Sequence, residues 1–138
     1  MGKLEPDGKG YHDLLFDYYF ARGALEQALK ELQRCEELET EPRSKPFDRA
    51  VYHALSGEKE QARALLRHEE SLPEFPYVGW LFVWAYTVLG DFDDCFRWLD
   101  KLASPRFVYS RGFRLDPRLD PIRKDPRFPA SIKKLGLD

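Results

Sequence analysis

The chain has 138 residues, of which 43% are apolar and 33% charged, with a formal net charge of −2. That is the composition and size of one globular domain and excludes wholesale disorder. No run approaches the roughly 18 consecutive apolar residues of a membrane span. The opening residues lack the apolar stretch of a signal peptide, so the cytoplasm is the expected location, without membrane contact.

Charge is unevenly placed. Residues 105–138 hold nine Lys or Arg against four Asp, whereas the first 104 residues hold thirteen basic and twenty acidic side chains. An acidic body thus carries a basic tail, a polarity that fits two solvated surfaces, tail docking or self-association. Cys35 and Cys95 fall inside helical patterns at a spacing that matches no metal motif, and they read as small buried residues in a reducing compartment.

In chain order, apolar residues recurring every three or four predict helices over 11–22, 25–40, 46–56, 58–71, 77–89 and 92–103. In the second, Leu25, Ala28, Leu29, Leu32 and Cys35 form one stripe, while Glu26, Gln27, Lys30 and Arg34 face away, so this helix requires a packing partner. Between helices one and two stands Gly23, between three and four Gly57, and between five and six Gly90, at intervals of 34 and 33 residues. A glycine there ends one helix in the left-handed conformation and allows a tight turn into the next. Five residues beyond each lies a small side chain (Ala28, Ala62, Cys95), and four further on a leucine (Leu32, Leu66, Leu99) on the same helix face. Pro42, Pro73 and Pro105 close the second helix of each pair. The fifth helix, Tyr77 to Leu89, has no charge on any side. Strand patterning is confined to the short run Phe107-Val108-Tyr109, too brief to found a sheet.

After the helices, Asp-Pro recurs with its aspartate at 116, 120 and 125. An aspartate before a proline starts helices, because the carboxylate accepts from unpaired amides and the proline has no amide to satisfy. Several short helical turns are expected, the last tolerating Pro129 in its first turn and ending at Gly136. Leu115, Leu119, Ile122, Phe128, Ile132 and Leu135 give this tail an apolar side with which to cover the open end of a stack.

The turn glycine, the small residue five later, the leucine beyond it and the terminal proline resemble the tetratricopeptide repeat over roughly residues 9–107. Tyr19 and Tyr86 hold the aromatic position of that motif and His53 replaces it in the second copy. Phe16, Ala50 and Val83 stand where the family commonly has Gly or Ala. The resemblance implies an all-α fold, an α-solenoid of three helix-turn-helix hairpins plus a C-terminal capping helix, in a single domain 1–138. Its repeats would cover about 9–42, 43–75 and 76–108, with a capping tail over 109–138. The tail is similar to the segment closing such arrays in bacterial kinases, cyclases and transcriptional regulators, which would make the chain the end of a longer sensor or a stand-alone relative.

In that family the first helix of each pair lines a concave groove for a peptide or partner protein. The matching offsets here are Asp13, Asp17 and Phe20, then Phe47, Val51 and Leu55, then Tyr77, Trp80, Trp84 and Val88. The implied groove is acidic at one end and aromatic at the other. It lacks the Lys, Arg and Asn that grip acidic chaperone tails and suits an extended apolar ligand with basic residues. Trp80 and Trp84, one turn apart, are either covered by the chain itself, open to a ligand, or part of a contact between copies.

Catalysis is not expected. His12, His53 and His68 share no ligand spacing with the cysteines, so no metal site is read. The carboxylate pairs Glu36/Glu37 and Asp93/Asp94 diverge around their helices, and the glycines serve turns instead of a phosphate loop. No cofactor motif is present. Arg106, Arg111, Arg114, Arg118, Arg123, Lys124 and Arg127 are basic enough to meet a phosphate backbone, but aspartates interrupt them and no nucleic-acid motif accompanies them. Two functions follow: a non-catalytic protein–protein interaction module, or a self-associating structural or regulatory module, a homo-oligomer, of a larger signalling protein.

Overall fold

A computed structural model describes residues 8–73, 78–102 and 117–136. All regular structure among them is helical: α1 (Lys9–Ala21), α2 (Leu25–Leu38), α3 (Lys45–Leu55), α4 (Lys59–Glu70), α5 (Val78–Leu89), α6 (Phe92–Leu102), a 3-10 segment (Pro117–Ile122) and α7 (Arg127–Lys134). The first six lie where the 3.6-residue periodicity puts them, and the tail forms the expected short helical pieces. The Phe107-Val108-Tyr109 run and Pro105 lie outside the described residues.

The chain divides into two compact units, residues 1–72 and 73–138. In the first, α2 folds back on α1 and α4 on α3, with α2 also packed on α3. Both reversals turn on a glycine with positive φ, Gly23 at 71° and Gly57 at 81°. That backbone strains any side-chain-bearing residue, which is why glycine stands in each three-residue reversal. The small residues Ala28 and Ala62, and Leu32 and Leu66 one turn on, are all buried, so each second helix lies close on its first. Phe16, Phe47, Ala50 and Val51 complete this core. Each large apolar side chain that closes there stabilises the unit by about 1.5–3 kcal/mol before entropy is counted.

In the second unit α6 folds back on α5 through Gly90, at φ 86°. At Gly79 the two helices are tightly packed: a β-carbon there would lie 2.4 Å from Leu102 Cδ2. Phe82 stacks on Trp98 with ring centroids 4.2 Å apart and 11° between planes, and Tyr86 stacks on Phe82. An uncharged helix must be enclosed, and nine α5 residues, from Val78 to Leu89, are buried.

The tail docks on this hairpin. Its 3-10 segment packs on α5 and α7 packs on α6, burying Leu119, Ile122 and Ile132. The N-cap of α7 is Pro126 and not the aspartate that the Asp-Pro signal predicts; Asp125, one residue earlier, accepts the amide of Arg127 at 2.9 Å, and Gly136 ends the helix at φ 72°. Arg127 Nη1 reaches Asp93 Oδ1 at 2.6 Å and Lys134 Nζ reaches Asp100 Oδ1 at 3.0 Å. Both pairs span 34 residues, the interval that separates the first two turn glycines. Helices α6 and α7 therefore run side by side in the same direction. The Arg127 guanidinium also lies 4.5 Å from the centre of the Phe96 ring.

Candidate functional site

The acidic end of the expected groove is a cluster built from three elements. Lys9, at the start of α1, donates to Asp13 one turn later at 2.9 and 3.2 Å. The same ammonium lies 3.3 Å from Glu39 Oε2, just past the end of α2. Burial works against the charge on Lys9, but the hydrogen bond and charge of Asp13, with Asp48 and Glu39, hold its pKa above the usual lysine value. Asp48, in the first turn of α3, is 4% exposed. Its Oδ2 has no hydrogen-bond partner. Burial, partly offset by Lys9 and reinforced by Asp13, Glu39 and Glu36, pushes this carboxyl up to about 7. Cys35 adjoins the cluster, and burial and then the negative charge of Asp13 raise its thiol pKa.

The ten groove residues fall into three groups. Asp13, Asp17 and Phe20 on α1, Leu55 on α3, and Trp80 and Val88 on α5 are half-buried and reach the surface. Phe47 and Val51 are each 0% exposed and Trp84 is 8% exposed, so these three belong to the interior and offer a ligand no surface. The physical reason is local. At Phe47 and Val51 the offset that faces a groove in the resembling family instead faces inward, on a helix whose apolar side is wide enough to include both. Trp84 is covered from its own unit, with the Arg118 guanidinium of the 3-10 segment 5.8 Å from its ring centre. Tyr77 lies outside the described residues.

Other polar groups are committed to structure. His12 Nδ1 stands 2.5 Å from Glu31 Oε2, tying α1 to α2, and His53 Nδ1 stands 3.2 Å from Glu58 Oε1 across the second turn. Glu69, on α4 beside His68, is turned inward. It is 5% exposed and forms an ion pair with Arg43 Nε at 3.5 Å. Thr87 Oγ1 donates to Val83 O at 2.7 Å and lies 3.0 Å from Cys95 Sγ. With its one proton committed to the carbonyl, Thr87 accepts from the thiol. Burial pushes the Cys95 thiol up to about 11, so it is neutral near pH 7 and a weak nucleophile.

Among the described residues no three His, Cys, Asp or Glu side chains are grouped to hold a metal ion, and no helix is long and apolar enough to cross a membrane. Two surface recesses stand out. One, of about 350 Å³, is lined by Gln33, Glu36, Glu37, Lys45 and Arg49 of the α2/α3 junction. The other, of about 360 Å³, is lined by Gly90, Asp91, Phe92, Asp93 and Asp94 at the start of α6. Each is polar, and in neither does a base face a nucleophile.

The sequence reading missed the Lys9, Glu39 and Asp48 contributions to the acidic cluster. One weak signal was available: Lys9 and Asp13 are four apart, the spacing of a helical ion pair. Asp48 reads as an ordinary first-turn acid, favoured by the helix dipole.

The fold and site define an all-α protein of serial helical hairpins whose first helices reach the surface with mixed acidic and apolar side chains. No family model, curated protein or solved structure matches the chain.

Proposed function

We propose that the chain is a non-catalytic protein–protein interaction module of the tetratricopeptide type, built as a short α-solenoid and working in the cytoplasm. Its ligand is a peptide or partner protein held by the first helices of the hairpins. One observation carries this reading: the first helix of every hairpin presents half-buried apolar side chains, Phe20 on α1, Leu55 on α3, and Trp80 and Val88 on α5. Partly exposed aromatic residues serve as binding anchors because a ligand completes their desolvation. Asp13 and Asp17 add negative charge on α1, which favours a ligand carrying Lys or Arg beside apolar residues.

Three positions drop out of the binding surface by burial, which changes the decisive variant. Trp84→Ala would empty a core position, whereas Trp80→Ala alters a residue that reaches the surface. Panning a random peptide library on the full chain should enrich apolar sequences with basic residues. Trp80→Ala and Asp17→Lys should each weaken the selected peptides about tenfold with helicity unchanged. Failure to enrich any sequence, or affinities that neither variant moves, would reject the reading. Self-association is the second reading, and the exposed Tyr11, Leu14 and Tyr18 of α1 favour it.

A further inference from the structure

The acidic cluster of the first unit shares one ammonium unevenly. Lys9 Nζ lies 2.9 and 3.2 Å from the two oxygens of Asp13 and 3.3 Å from Glu39 Oε2, so its three donors already face three oxygens. Asp48 acts on the same ammonium by charge, yet its buried Oδ2 has no hydrogen-bond partner. Three carboxylates thus bear on one cation, and one of them lacks a donor. A buried carboxylate oxygen in that condition costs free energy that an added donor recovers.

Lys9 is a replaceable occupant. It is the first residue of α1, where the helix dipole disfavours positive charge, and its flexible stem regains rotamer freedom on release. The side chains of Lys9 and Asp13 are 29% and 35% exposed, so the ammonium can swing into water and another cation can enter from the same side. Among the described residues no three acids are grouped to hold a metal ion. The seat suits a wider cation with several donors.

We propose that this seat receives an arginine side chain of the ligand, and that Lys9 fills it until the ligand displaces it. This rests on reading α1 as part of the ligand-binding surface, and adds the side chain recognised and the chain's own competitor for it. A guanidinium is planar and carries five donors in a fixed fork. It can pair both oxygens of Asp13, as Lys9 does, and still offer donors to Glu39 and to Asp48 Oδ2. A lysine on the ligand repeats what Lys9 already does, so arginine is preferred.

Binding also draws a proton from Asp48. Burial raises that carboxyl to about 7, Lys9 opposes the rise, and Asp13 from α1, Glu39 beyond α2 and Glu36 from α2 reinforce it. Glu36 itself faces Arg49 of α3 at 3.7 Å, and Glu69 of α4 is paired with Arg43 at 3.5 Å. A guanidinium against Oδ2 favours the ionised form, so affinity rises from about pH 6 to about pH 8.

Titrating the full chain with Nα-acetyl-arginine amide, whose only charge is the guanidinium, tests the seat by NMR. Saturable amide shifts at Asp13, Glu39 and Asp48 in the millimolar range are expected, with Nα-acetyl-lysine amide at least about threefold weaker. Lys9→Gln removes the competitor and should tighten the arginine amide about tenfold. If Lys9 were only a strut between α1 and α2, that variant would lose stability and bind no better. Asp48→Asn should weaken binding about tenfold and abolish its pH dependence. This second variant relieves a buried charge, so it should fold at least as well, as circular dichroism would show. No saturable shift in either the unaltered chain or Lys9→Gln, no tightening in Lys9→Gln, or affinity indifferent to Asp48→Asn would overturn the proposal. No selected peptide enters these measurements, so their failure leaves the groove reading standing.

Discussion

Asp48 makes stability depend on pH in the direction opposite to a paired surface carboxylate. Its carboxyl ionises at about 7 in the folded chain against 3.8 as a free side chain. Below the lower value both states hold the proton and the group contributes no slope. Between the two values the unfolded chain releases a proton that the folded chain keeps, so stability falls as pH rises. Above about 7 the loss is complete and constant. Asp48→Asn should remove this slope. Urea unfolding at about pH 8 should show the variant more stable by on the order of 2–4 kcal/mol, with little difference near pH 4. A variant less stable at both values would mean that the ionised carboxylate supports Lys9 more than its burial costs. Asp48 was not legible beforehand because the charges acting on it, Lys9 and Glu39 among them, come from the first helix and from beyond the end of the second. Asp13 was legible as an acid on the first helix, but not as one already engaged by a lysine.

Elements were the most readable level, because each hairpin is specified locally by a glycine, a small residue and a leucine. What the pattern did not mark is how tightly a given pair is pressed together. Gly79 reads as one more residue of an apolar helix, yet an added β-carbon would also lie 3.2 Å from Leu102 Cγ and 3.7 Å from Trp98 Cε3. Gly79→Val should therefore force α5 and α6 apart, costing about 1–3 kcal/mol in thermal or denaturant unfolding, and should disturb the near-ultraviolet signal of Trp98. Helix α7 makes a different kind of contact. The Arg127 hydrogen bond holds the Asp125 carboxyl below its usual pKa, and the aspartates in turn hold the guanidinium above its own. These groups are open to water, so salt should loosen them. Hydrogen exchange of α7 amides should quicken severalfold in about 0.5 M salt or in Asp93→Asn with Asp100→Asn, while α5 amides stay protected.

Over the whole molecule, periodicity and turn chemistry made the helical order readable, and the Asp-Pro series made the tail readable as a cover. Which flank of each helix meets solvent was not readable to the same degree. Phe47 and Val51 show the difficulty. An apolar side chain at a groove offset looks the same in a sequence whether it waits for a ligand or fills the interior, and only packing decides. Trp80 and Trp84 show it within one helix, since one reaches the surface and the other is closed over by the tail. Charge also bears on where that tail sits, and Arg97 contributes to it. This cation follows Asp93 by four residues and precedes Asp100 by three. Were α7 to slip by one turn, about 5.4 Å, in either direction, Arg127 or Lys134 would trade an aspartate for Arg97. Two attractive pins flanking a cation thus bias the closing helix towards one register, and only weakly, because Arg97 is itself paired with Asp94 at 3.0 Å and all of these groups meet water.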